Sequence, residues 1–400
     1  MQRERLLEIQ RALVEDGLDA WLFCDFRGND PIGRRILGLG ERLATRRWFY
    51  CVAATGLPRA LVSAVEPSAL AGLPGDARAY RTWQELHAGL EALLAGTRRV
   101  AMQYSPNNDV PYVARVDAGT VELVRRCGVE VTSSADLVQR FEAVWTADQY
   151  ASHVRAARAV RAVVDSAFGV VRRRARAGET CTEGDVQRFI LEQFAARGLL
   201  THDPPIVAVG PHSADPHYQP PAGGGAPLGA DDFVLIDLWA KEPNGVYADI
   251  TWTGYVGAAV PERYGHVFEI VRRARDAGVD AARGAVRAGL PLRGCDVDAV
   301  VREAIAGAGF ADRFVHRTGH SIGTEVHGNG ANIDGFETPD TRRLLRGTCF
   351  SIEPGVYLPG EFGVRSEVDV FVDEADIIVT GQPVQTAVVA ILADAPGLDG

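Results

Sequence analysis

Two pairs of carboxylates, each set across a turn that contains proline or glycine, constrain this sequence more than any other feature. The pairs are Asp237 with Asp249 and Glu353 with Glu367. Their turns lie at 241–245 and 358–362, and apolar runs flank both turns. Apolar runs on either side of such a turn predict a β-hairpin, so we expect two hairpins that each present two acidic side chains.

The residues of each pair lie symmetrically about a turn, centred on residue 243 in the first hairpin and residue 360 in the second. Positions equidistant from the centre of an antiparallel hairpin face each other, with Cβ atoms roughly 5 Å apart. Like charges held this close in apolar strands repel and lose hydration, so each pair needs a neutralising partner. A divalent metal ion supplies it, and two pairs suggest a dinuclear site with ions roughly 3.5 to 4 Å apart.

Three histidines lie between the two hairpins, in the segment 316–327. They are His316, His320 and His327, and the small residues around them permit close approach of the backbone. One imidazole would complete the metal site. A single acidic hairpin is usually solvated or salt-bridged, whereas two hairpins together with these histidines favour metal binding.

Composition limits the classes of function. The chain has 400 residues, a formal net charge of -10 and a pI near 5.5. This length predicts two domains, and the negative charge argues against a nucleic-acid groove or an anionic membrane surface. The arginine-rich stretch 172–176 is interpreted as the solvent-facing side of a helix. The six cysteines are scattered, and we find no signal peptide or membrane span, so we expect a cytoplasmic protein.

The pattern along the chain predicts an α/β domain over 1–145 and an α+β domain over 146–400. A capping box at 146–149 begins a long helix that Gly178 ends. Further helices are predicted near 183–197, 261–288 and 296–308. The Pro- and Gly-rich loop 210–225 precedes the first acidic strand, so it is placed to drape over the site.

Several motifs, taken together, resemble those of the M24 metallopeptidases, the pita-bread family that includes methionine aminopeptidase, Xaa-Pro aminopeptidase, prolidase and the metal-free creatinase. They occur in family order over 210–370. The matching segments are Pro216-His217-Tyr218, Asp237 to Asp249-Ile-Thr, Thr318 to His327, Ser351 to Gly355 and Val364 to Glu367. The N-terminal domain and the linker helix resemble the branch of creatinase, prolidase and Xaa-Pro aminopeptidase. The resemblance implies a pita-bread catalytic domain.

The resemblance also implies a set of five metal ligands, all present here. They are Asp237, Asp249, His320, Glu353 and Glu367. Four carboxylates and one imidazole suit two Mn(II) or Co(II) ions, with Mn favoured, and tolerate Zn(II). In the family mechanism a water activated by both ions attacks the substrate, and Glu353 accepts its proton and passes it to the leaving nitrogen. His217 and His327 would hold the developing oxyanion.

Two more residues match positions that contact substrate in the family. His316 resembles a histidine that lines the proline pocket, and Arg365 resembles an arginine that holds substrate or a neighbouring carboxylate. The alternatives are a surface turn residue for His316 and a structural salt bridge for Arg365. Other candidates for binding a substrate carboxylate are Arg342, Arg343 and the arginines of the loop 30–47, which are Arg34, Arg35, Arg46 and Arg47.

The chain departs from the family pattern beside two ligands. The family often has Asp-x-Gly at the first ligand and Thr-Arg-Thr after the second. This chain has Asp237-Leu-Trp239 and Thr251-Trp252-Thr253. We expect the two tryptophans to narrow or reshape the substrate pocket, and an aromatic wall remains compatible with a proline ring.

The resemblance therefore predicts that the protein hydrolyses Xaa-Pro bonds in proline-containing peptides as an Xaa-Pro dipeptidase. It also predicts a homodimer. Three alternatives stay open: an Xaa-Pro aminopeptidase that acts on longer peptides, a creatinase-like hydrolase of a non-peptide amide, and a binding module without activity. Retention of all five ligands argues against the last. No nucleic-acid or membrane partner is expected.

Overall fold

The computed structural model describes residues 3–40, 44–221 and 224–394. The chain divides into two units, Met1–Glu142 (unit 1) and Ala143–Gly400 (unit 2). Among the helices of the described residues, none combines the length and the apolar content that a membrane span requires.

Unit 1 contains a six-stranded mixed sheet and five helices. Its strands are β1 (Ala20–Asp25), β2 (Trp48–Ala53), β3 (Arg59–Ser63), β4 (Asp76–Tyr80), β5 (Arg99–Met102) and β6 (Glu130–Ser133). Its helices are α1 (Arg3–Glu15), α2 (Pro31–Leu37), α3 (Trp83–Leu94), α4 (Ala118–Arg125) and α5 (Ala135–Val138). The strand order is β4-β3-β2-β1-β5-β6. Alternate residues of β1 enter two apolar cores, Trp21 and Phe23 on one face and Leu22 on the other, as expected for a sheet covered on both faces. The predicted α/β class is confirmed.

Two buried aspartates of unit 1 organise the segment that follows β1. Asp25 accepts hydrogen bonds from the backbone amides of Asp30 at 3.0 Å and Gly28 at 3.1 Å. Asp30 accepts from the amide of Gly33 at 2.8 Å and from Gln103 Nε2 at 2.8 Å. Each of the four carboxylate oxygens therefore has a donor inside the unit.

Unit 2 begins with a long helix whose ends match the prediction. Its helices are α6 (Ala147–Ala177), α7 (Glu183–Ala196), α8 (Glu262–Arg287) and α9 (Gly294–Gly307). Thr146 and Gln149 form a capping box at the start of α6, and Gly178 ends it in the left-handed conformation. The interpretation of 172–176 as solvent-facing is wrong for Arg172, which is 2% exposed because it follows the buried Phe168 by one helical turn.

The strands of unit 2 form three sheets. They are β7 (Ile206–Val209), β8 (Phe233–Ala240), β9 (Ala248–Tyr255), β10 (Ser321–Ile322), β11 (Cys349–Ile352), β12 (Gly355–Leu358), β13 (Phe362–Arg365), β14 (Val368–Val372), β15 (Ile377–Val379) and β16 (Val389–Ala390). The strand orders are β16-β9-β8-β7, β10-β11-β14-β15 and β12-β13. Helices and antiparallel strands are interleaved as the α+β prediction requires.

The first acidic hairpin, β8 with β9, differs from the expected register. Asp237 pairs with Thr251, and Asp249 pairs with Trp239, so the two aspartates are diagonal rather than directly opposite. The hairpin centres on residue 244 because the ladder begins only at Ala248, and the amide of Tyr247 bonds instead to the carbonyl of Gly323 at 2.9 Å. Since strand side chains alternate with a period of two, a diagonal offset of two residues keeps both aspartates on one face.

The second acidic pair follows the expected register but lies in a break of the ladder. Ile352 pairs with Val368 in one sheet, and Gly355 pairs with Arg365 in another, so both ladders centre on residue 360 as predicted. Glu353 and Glu367 lie between these ladders, outside both strand pairs. Each side of the second hairpin is therefore divided at its glutamate, and the predicted symmetry of the two glutamates is correct.

Candidate metal centre

Three of the predicted ligands converge in the interior of unit 2. One ligand atom each from Asp249, His320 and Glu367 lies within 4.8 Å of the others, and all three residues are buried. Asp249 comes from the start of β9 in the first hairpin, and Glu367 comes from the break in the second. The two hairpins thus meet where the sequence predicted a shared metal site.

The other two predicted ligands adjoin this group. Glu353 Oε1 lies 3.3 Å from His320 Nε2. Thr251 Oγ1 lies 3.0 Å from Asp237 Oδ1 and 2.8 Å from Glu367 Oε2, so this hydroxyl links the two hairpins. We call the five residues, Asp237, Asp249, His320, Glu353 and Glu367, the acidic cluster.

Buried carboxylate oxygens without hydrogen-bond partners test whether the cluster fits a cation. Within the described ranges, the buried carboxylate oxygens that lack any partner are Asp249 Oδ1, Glu367 Oε1 and Asp369 Oδ1. Two belong to the acidic cluster, and the third belongs to the residue two positions after Glu367. A buried polar atom without a partner is costly, and a divalent cation is the partner that oxygen ligands of this charge accept. The residues present therefore fit a metal.

Burial and mutual repulsion raise the pKa values of three acids of the cluster, Asp249, Glu353 and Glu367. Burial raises the pKa of Asp249 well above its ordinary value, and the nearby Asp237 and Asp369 raise it further. Burial likewise raises the pKa of Glu367 well above the ordinary value, with Asp249 adding to the effect. Burial raises the pKa of Glu353 to about 7. A bound cation would reverse these shifts because it favours the charged form.

The backbone around His320 fixes the direction of its imidazole. His320 N donates to Ser351 Oγ at 2.9 Å, and His320 Nδ1 lies 3.3 Å from the carbonyl of Ser321. These contacts leave the Nε2 atom of His320 directed toward the carboxylates of Asp249 and Glu353. The preceding residue must be glycine, because a Cβ at Gly319 would lie 1.9 Å from the carbonyl oxygen of Ser351. Burial lowers the pKa of His320 well below its usual range, so the ring is neutral as metal binding requires.

Arg365 is buried against the cluster, where it contacts Asp237. Its Nη2 donates to Asp237 Oδ2 at 2.5 Å, and its Nε donates to Thr251 Oγ1 at 3.1 Å. Its Nη1 donates to the carbonyl of Pro216 at 3.1 Å and to Tyr357 Oη at 3.2 Å. The guanidinium thus joins a predicted ligand to the residue that precedes His217, an arrangement closer to the salt-bridge alternative than to a free substrate-binding arginine.

His316 lies at the end of this hydrogen-bonded chain. Its Nε2 lies 2.7 Å from Tyr357 Oη, and its Nδ1 lies 2.7 Å from the carbonyl of Arg317. Burial lowers the pKa of His316 to about 3, and the charge of Arg365 lowers it further. His316 is therefore a half-buried, neutral and engaged residue rather than a free turn residue.

His327 and His217 lie on the exposed side of the cluster. The ring of His327 meets the ring of His320 edge-on, with the centroids 4.2 Å apart. Burial lowers the pKa of His327 to about 4, and the neighbouring Arg317 and His217 lower it further. The His217 side chain is exposed, and its backbone amide donates to Asp215 Oδ1 at 3.1 Å. The structure therefore brings both predicted histidines to the same region.

A carboxylate that the sequence analysis missed holds the segment around His217, between Val209 and Ala226, which we call the His217 loop. Glu183 begins α7, is fully buried, and accepts from the amides of Val209 at 2.9 Å and Ala226 at 2.7 Å. It also lies 2.8 Å from His212 Nδ1 and accepts from Tyr218 Oη at 2.6 Å. These four contacts involve residues on both sides of His217 in the sequence. Residues 222 and 223 of this loop lie outside the described residues.

Two further residues beside the ligands were also missed. Asp369 Oδ2 accepts from the amide of Asp249 at 2.8 Å, so this acid orients a ligand-bearing strand. Thr251 is fully buried between the hairpins. Thr251 follows the ligand Asp249 by two residues, and Asp369 follows the ligand Glu367 by two residues. Because side chains alternate between the two faces of a strand, this spacing would have placed both residues on the ligand face.

The two tryptophans differ in position, which corrects one expectation. Trp239 lies on the ligand face of β8, opposite Asp249, and its buried Nε1 has no hydrogen-bond partner. Trp252 lies on the other face of β9, in the core beneath α6, where the guanidinium of Arg161 is 3.6 Å from its ring centroid. The prediction that Trp252 shapes the substrate pocket is therefore wrong because its strand position points it away.

The arginine candidates are also mostly engaged. Arg342 donates to both oxygens of Asp340 and to the carbonyls of Asn329 and Gly330, so it is a structural residue and the prediction that it binds substrate is wrong. Arg343 is exposed. In unit 1, Arg34 bonds to the carbonyl of Leu39, and Arg35 pairs with Glu142, whereas Arg46 and Arg47 line a cavity described below.

Comparison with known proteins gives consistent matches. The chain matches the profile of Metallopeptidase family M24 over residues 151–374. It is 36% identical over 193 residues to "Probable dipeptidase PepE" of Mycobacterium tuberculosis, covering 48% of each protein. It is 35% identical over 195 residues to an Xaa-Pro dipeptidase of Lactobacillus delbrueckii subsp. lactis, covering 47% of this chain and 49% of that protein. Both matches span about half the length of these relatives.

A solved structure extends the likeness across the chain. The dipeptidase PepE from Mycobacterium ulcerans aligns over 97% of both chains, with a TM-score of 0.70 and 26% identity. The match confirms the predicted fold class, an α/β N-terminal domain followed by a pita-bread C-terminal domain.

Proposed function

Because the chain belongs to metallopeptidase family M24, we propose that it is a metal-dependent hydrolase of Xaa-Pro bonds, acting as an Xaa-Pro dipeptidase. The names of two relatives, a dipeptidase and an Xaa-Pro dipeptidase, support this activity. The observation that carries the proposal is the meeting of two acidic hairpins and one neutral histidine around buried carboxylate oxygens that have no other partner.

The acidic cluster would hold two divalent ions, with Mn(II) favoured over Co(II) and Zn(II) for a site with four carboxylates and one imidazole. When bound, such ions supply Lewis acidity that polarises the scissile carbonyl and makes a water molecule a better nucleophile. Thr251 and Asp369 keep the two hairpins in register around this site through their contacts with Asp237, Glu367 and the amide of Asp249.

Glu353 is the proposed proton acceptor. Its side chain is 15% exposed, compared with 5% for Asp249 and 4% for His320, so among these three it is the group most open to water and substrate. Ser351 Oγ lies 3.1 Å from Glu353 Oε1 and orients the carboxylate. In this role Glu353 takes the proton of the attacking water and delivers it to the leaving nitrogen.

His327 and His217 are the proposed oxyanion donors, since they lie on the exposed side of the cluster. His316 would contact the proline ring of the substrate, with Tyr357 fixing its orientation. Arg365 would act on substrate through Asp237 and the His217 loop, because its donors already bond to them. A homodimer in the cytoplasm remains part of this proposal.

The test measures release of proline from Ala-Pro and, separately, of alanine from Ala-Pro-Ala. The protein is stripped of metal, and Mn(II), Co(II) or Zn(II) is added back in parallel samples. We expect metal-restored cleavage of the dipeptide alone. Cleavage of the tripeptide would instead identify an Xaa-Pro aminopeptidase.

Metal content by elemental analysis separates the remaining outcomes. Bound metal without cleavage of either peptide would contradict the peptidase assignment and favour a creatinase-like hydrolase of a non-peptide amide. Absence of both metal binding and cleavage would overturn the metal site and leave a binding module.

A further inference from the structure

Unit 1 contains a cavity of about 830 Å³ that is independent of the acidic cluster. Its lining comes from unit 1: the end of β1, the start of β2, the end of β4, the start of α3, and α4 with the residues on either side of it. Ligand pockets in proteins have volumes of about 300 to 1,000 Å³. The cavity is therefore large enough for an organic molecule and much larger than a simple inorganic anion needs.

The charge of the lining is opposite to that of the whole chain. Five arginines line the cavity against two aspartates, although the chain has a formal net charge of -10. The arginines are Arg46, Arg47, Arg81, Arg115 and Arg126, and the aspartates are Asp25 and Asp117. A concave surface with this excess of guanidinium groups attracts anions.

The two aspartates do not neutralise these arginines. Asp25 accepts from the amides of Gly28 and Asp30, and Asp117 caps α4 by accepting from the Thr120 amide at 2.9 Å and hydroxyl at 2.6 Å. Their oxygens are thus committed to local backbone and hydroxyl donors. The charge of the arginines remains available to a ligand.

The lining arginines differ in whether they pair with a carboxylate of the described residues. Arg81 pairs with Glu85 at 3.0 Å. In contrast, Arg47, Arg115 and Arg126 are exposed and take part in none of the salt bridges within residues 3–40, 44–221 and 224–394. Guanidinium groups bind carboxylates and phosphates through paired hydrogen bonds, so three of them around one cavity, none in an ion pair with the described residues, can hold an anion there.

The same cavity has aromatic walls. Trp83 is 63% exposed and Phe26 is 42% exposed, and both line the cavity. Trp48 and Tyr80 lie in its lining as buried residues. The Trp83 ring meets His87 edge-on at 5.3 Å, which leaves the tryptophan a flat surface for stacking. Exposed aromatic rings beside guanidinium groups suit a planar ring that carries negative charge.

We propose that this cavity binds a small organic anion in which a planar aromatic ring is joined to a phosphate or a carboxylate. The ring stacks on Trp83 and Phe26, and the anionic group bonds to Arg47, Arg115 and Arg126. A nucleoside monophosphate and an aromatic carboxylate share this chemistry. The site does not depend on the proposed peptidase activity.

The test titrates the full chain with four probes and follows binding by calorimetry, with tryptophan fluorescence as the second readout for the probes that carry no indole ring. The probes are AMP, indole-3-acetate, adenosine and inorganic phosphate. We expect saturable binding of AMP or of indole-3-acetate, and the tighter of the two shows whether the cavity prefers a phosphate or a carboxylate. Adenosine lacks the anion and phosphate lacks the ring, so both should bind at least about tenfold more weakly.

Matched variants locate the site. Arg47→Gln and Arg115→Gln should each weaken binding about tenfold, because each removes a charged hydrogen bond to the anion. Arg78→Gln removes an equally exposed arginine of unit 1 outside the cavity and should leave the affinity unchanged. Trp83→Phe should abolish the fluorescence change while calorimetry still detects binding.

Three results would overturn the proposal. They are no saturable binding of either ringed anion up to about 10 mM, equal affinity for phosphate alone, or equal weakening by Arg78→Gln and Arg47→Gln. Normal circular dichroism of each variant establishes that a loss of binding is not a loss of folding.

Discussion

Buried carboxylates occur in both units, but their surroundings differ. In unit 1, every oxygen of Asp25 and Asp30 accepts a hydrogen bond from a backbone amide or from Gln103. In unit 2, Asp249 and Glu367 each keep one buried oxygen that finds no hydrogen-bond partner among the described residues. Burial raises the pKa of Asp30 to about 7, whereas the pKa values of Asp249 and Glu367 rise well above their ordinary range.

This difference shows which feature of a buried acid indicates a metal. Burial alone is shared by both groups, so it does not separate a structural carboxylate from a ligand. Buried carboxylate oxygens that lack a hydrogen-bond donor do separate a ligand from a structural carboxylate, because a folded chain rarely leaves a buried polar atom without a compensating partner. Glu183 supports the distinction, since it is fully buried near the site yet its oxygens accept from four groups of the His217 loop.

The largest expected effect comes from an acid of the cluster. Glu353→Gln should reduce kcat/KM for Ala-Pro by about a thousandfold, because it removes a metal ligand and the proposed proton acceptor. The measurement is steady-state proline release with excess metal. Glu361→Gln changes an exposed glutamate at the turn of the same hairpin and should leave kcat/KM unchanged. Near-normal activity of Glu353→Gln would contradict the site assignment.

Asp30 provides a pH-dependent test of the unit 1 side of the comparison. Its pKa is about 7 in the fold and about 3.9 in an unfolded chain, so the folded state holds the proton more tightly. Its contribution to the free energy of unfolding is therefore full below about pH 4, and it is lost as the pH rises to about 7. The contribution of Asp30 to the free energy of unfolding is on the order of 1 to 4 kcal/mol.

Urea unfolding of the wild type and of Asp30→Ala measures this contribution. The difference in stability between the two proteins should narrow between about pH 5 and pH 7.5. Asp76→Ala changes an exposed aspartate of unit 1 and controls for nonspecific charge effects. A difference that is constant with pH would mean that Asp30 stays ionised in the fold.

Removing a satisfied acid and an unsatisfied acid should change stability in opposite directions. In metal-stripped protein, Glu367→Gln should be neutral or stabilising by about 0 to 2 kcal/mol, because a neutral amide replaces an acid whose ionisation burial and Asp249 both oppose. At acidic pH, Asp30→Ala should cost about 1 to 3 kcal/mol, since Gly33 and Gln103 lose their acceptor. Equal destabilisation by both variants would refute the distinction. Excess metal should stabilise the wild type and have little effect on Glu367→Gln.

The smallest expected effect concerns Glu183. In Glu183→Gln the amide nitrogen faces backbone donors, so the His217 loop should loosen and kcat/KM should fall about tenfold. Metal content should stay at the wild-type level, which separates this residue from the ligands. Glu179→Gln alters an exposed glutamate just before α7 and is the matched control. Loss of metal from Glu183→Gln would place it among the ligands instead.

The sequence by itself determined the local elements and the type of chemistry. The capping box at Thr146 and the helix-ending Gly178 fixed α6, and turn residues with alternating apolar runs fixed the acidic hairpins. These features depend on interactions within a few residues, so they can be read from the chain directly. Spacing also placed Glu353 and Glu367 symmetrically about residue 360.

Only the tertiary structure decided the register of the first hairpin and the partners of the acids. The Tyr247 amide bonds to Gly323, far along the chain, and this contact moves the hairpin centre from 243 to 244. Glu183 gains its role from a loop that folds back on α7. Such contacts join residues distant in sequence, and no local pattern encodes which buried oxygen will find a donor and which will be left for a metal.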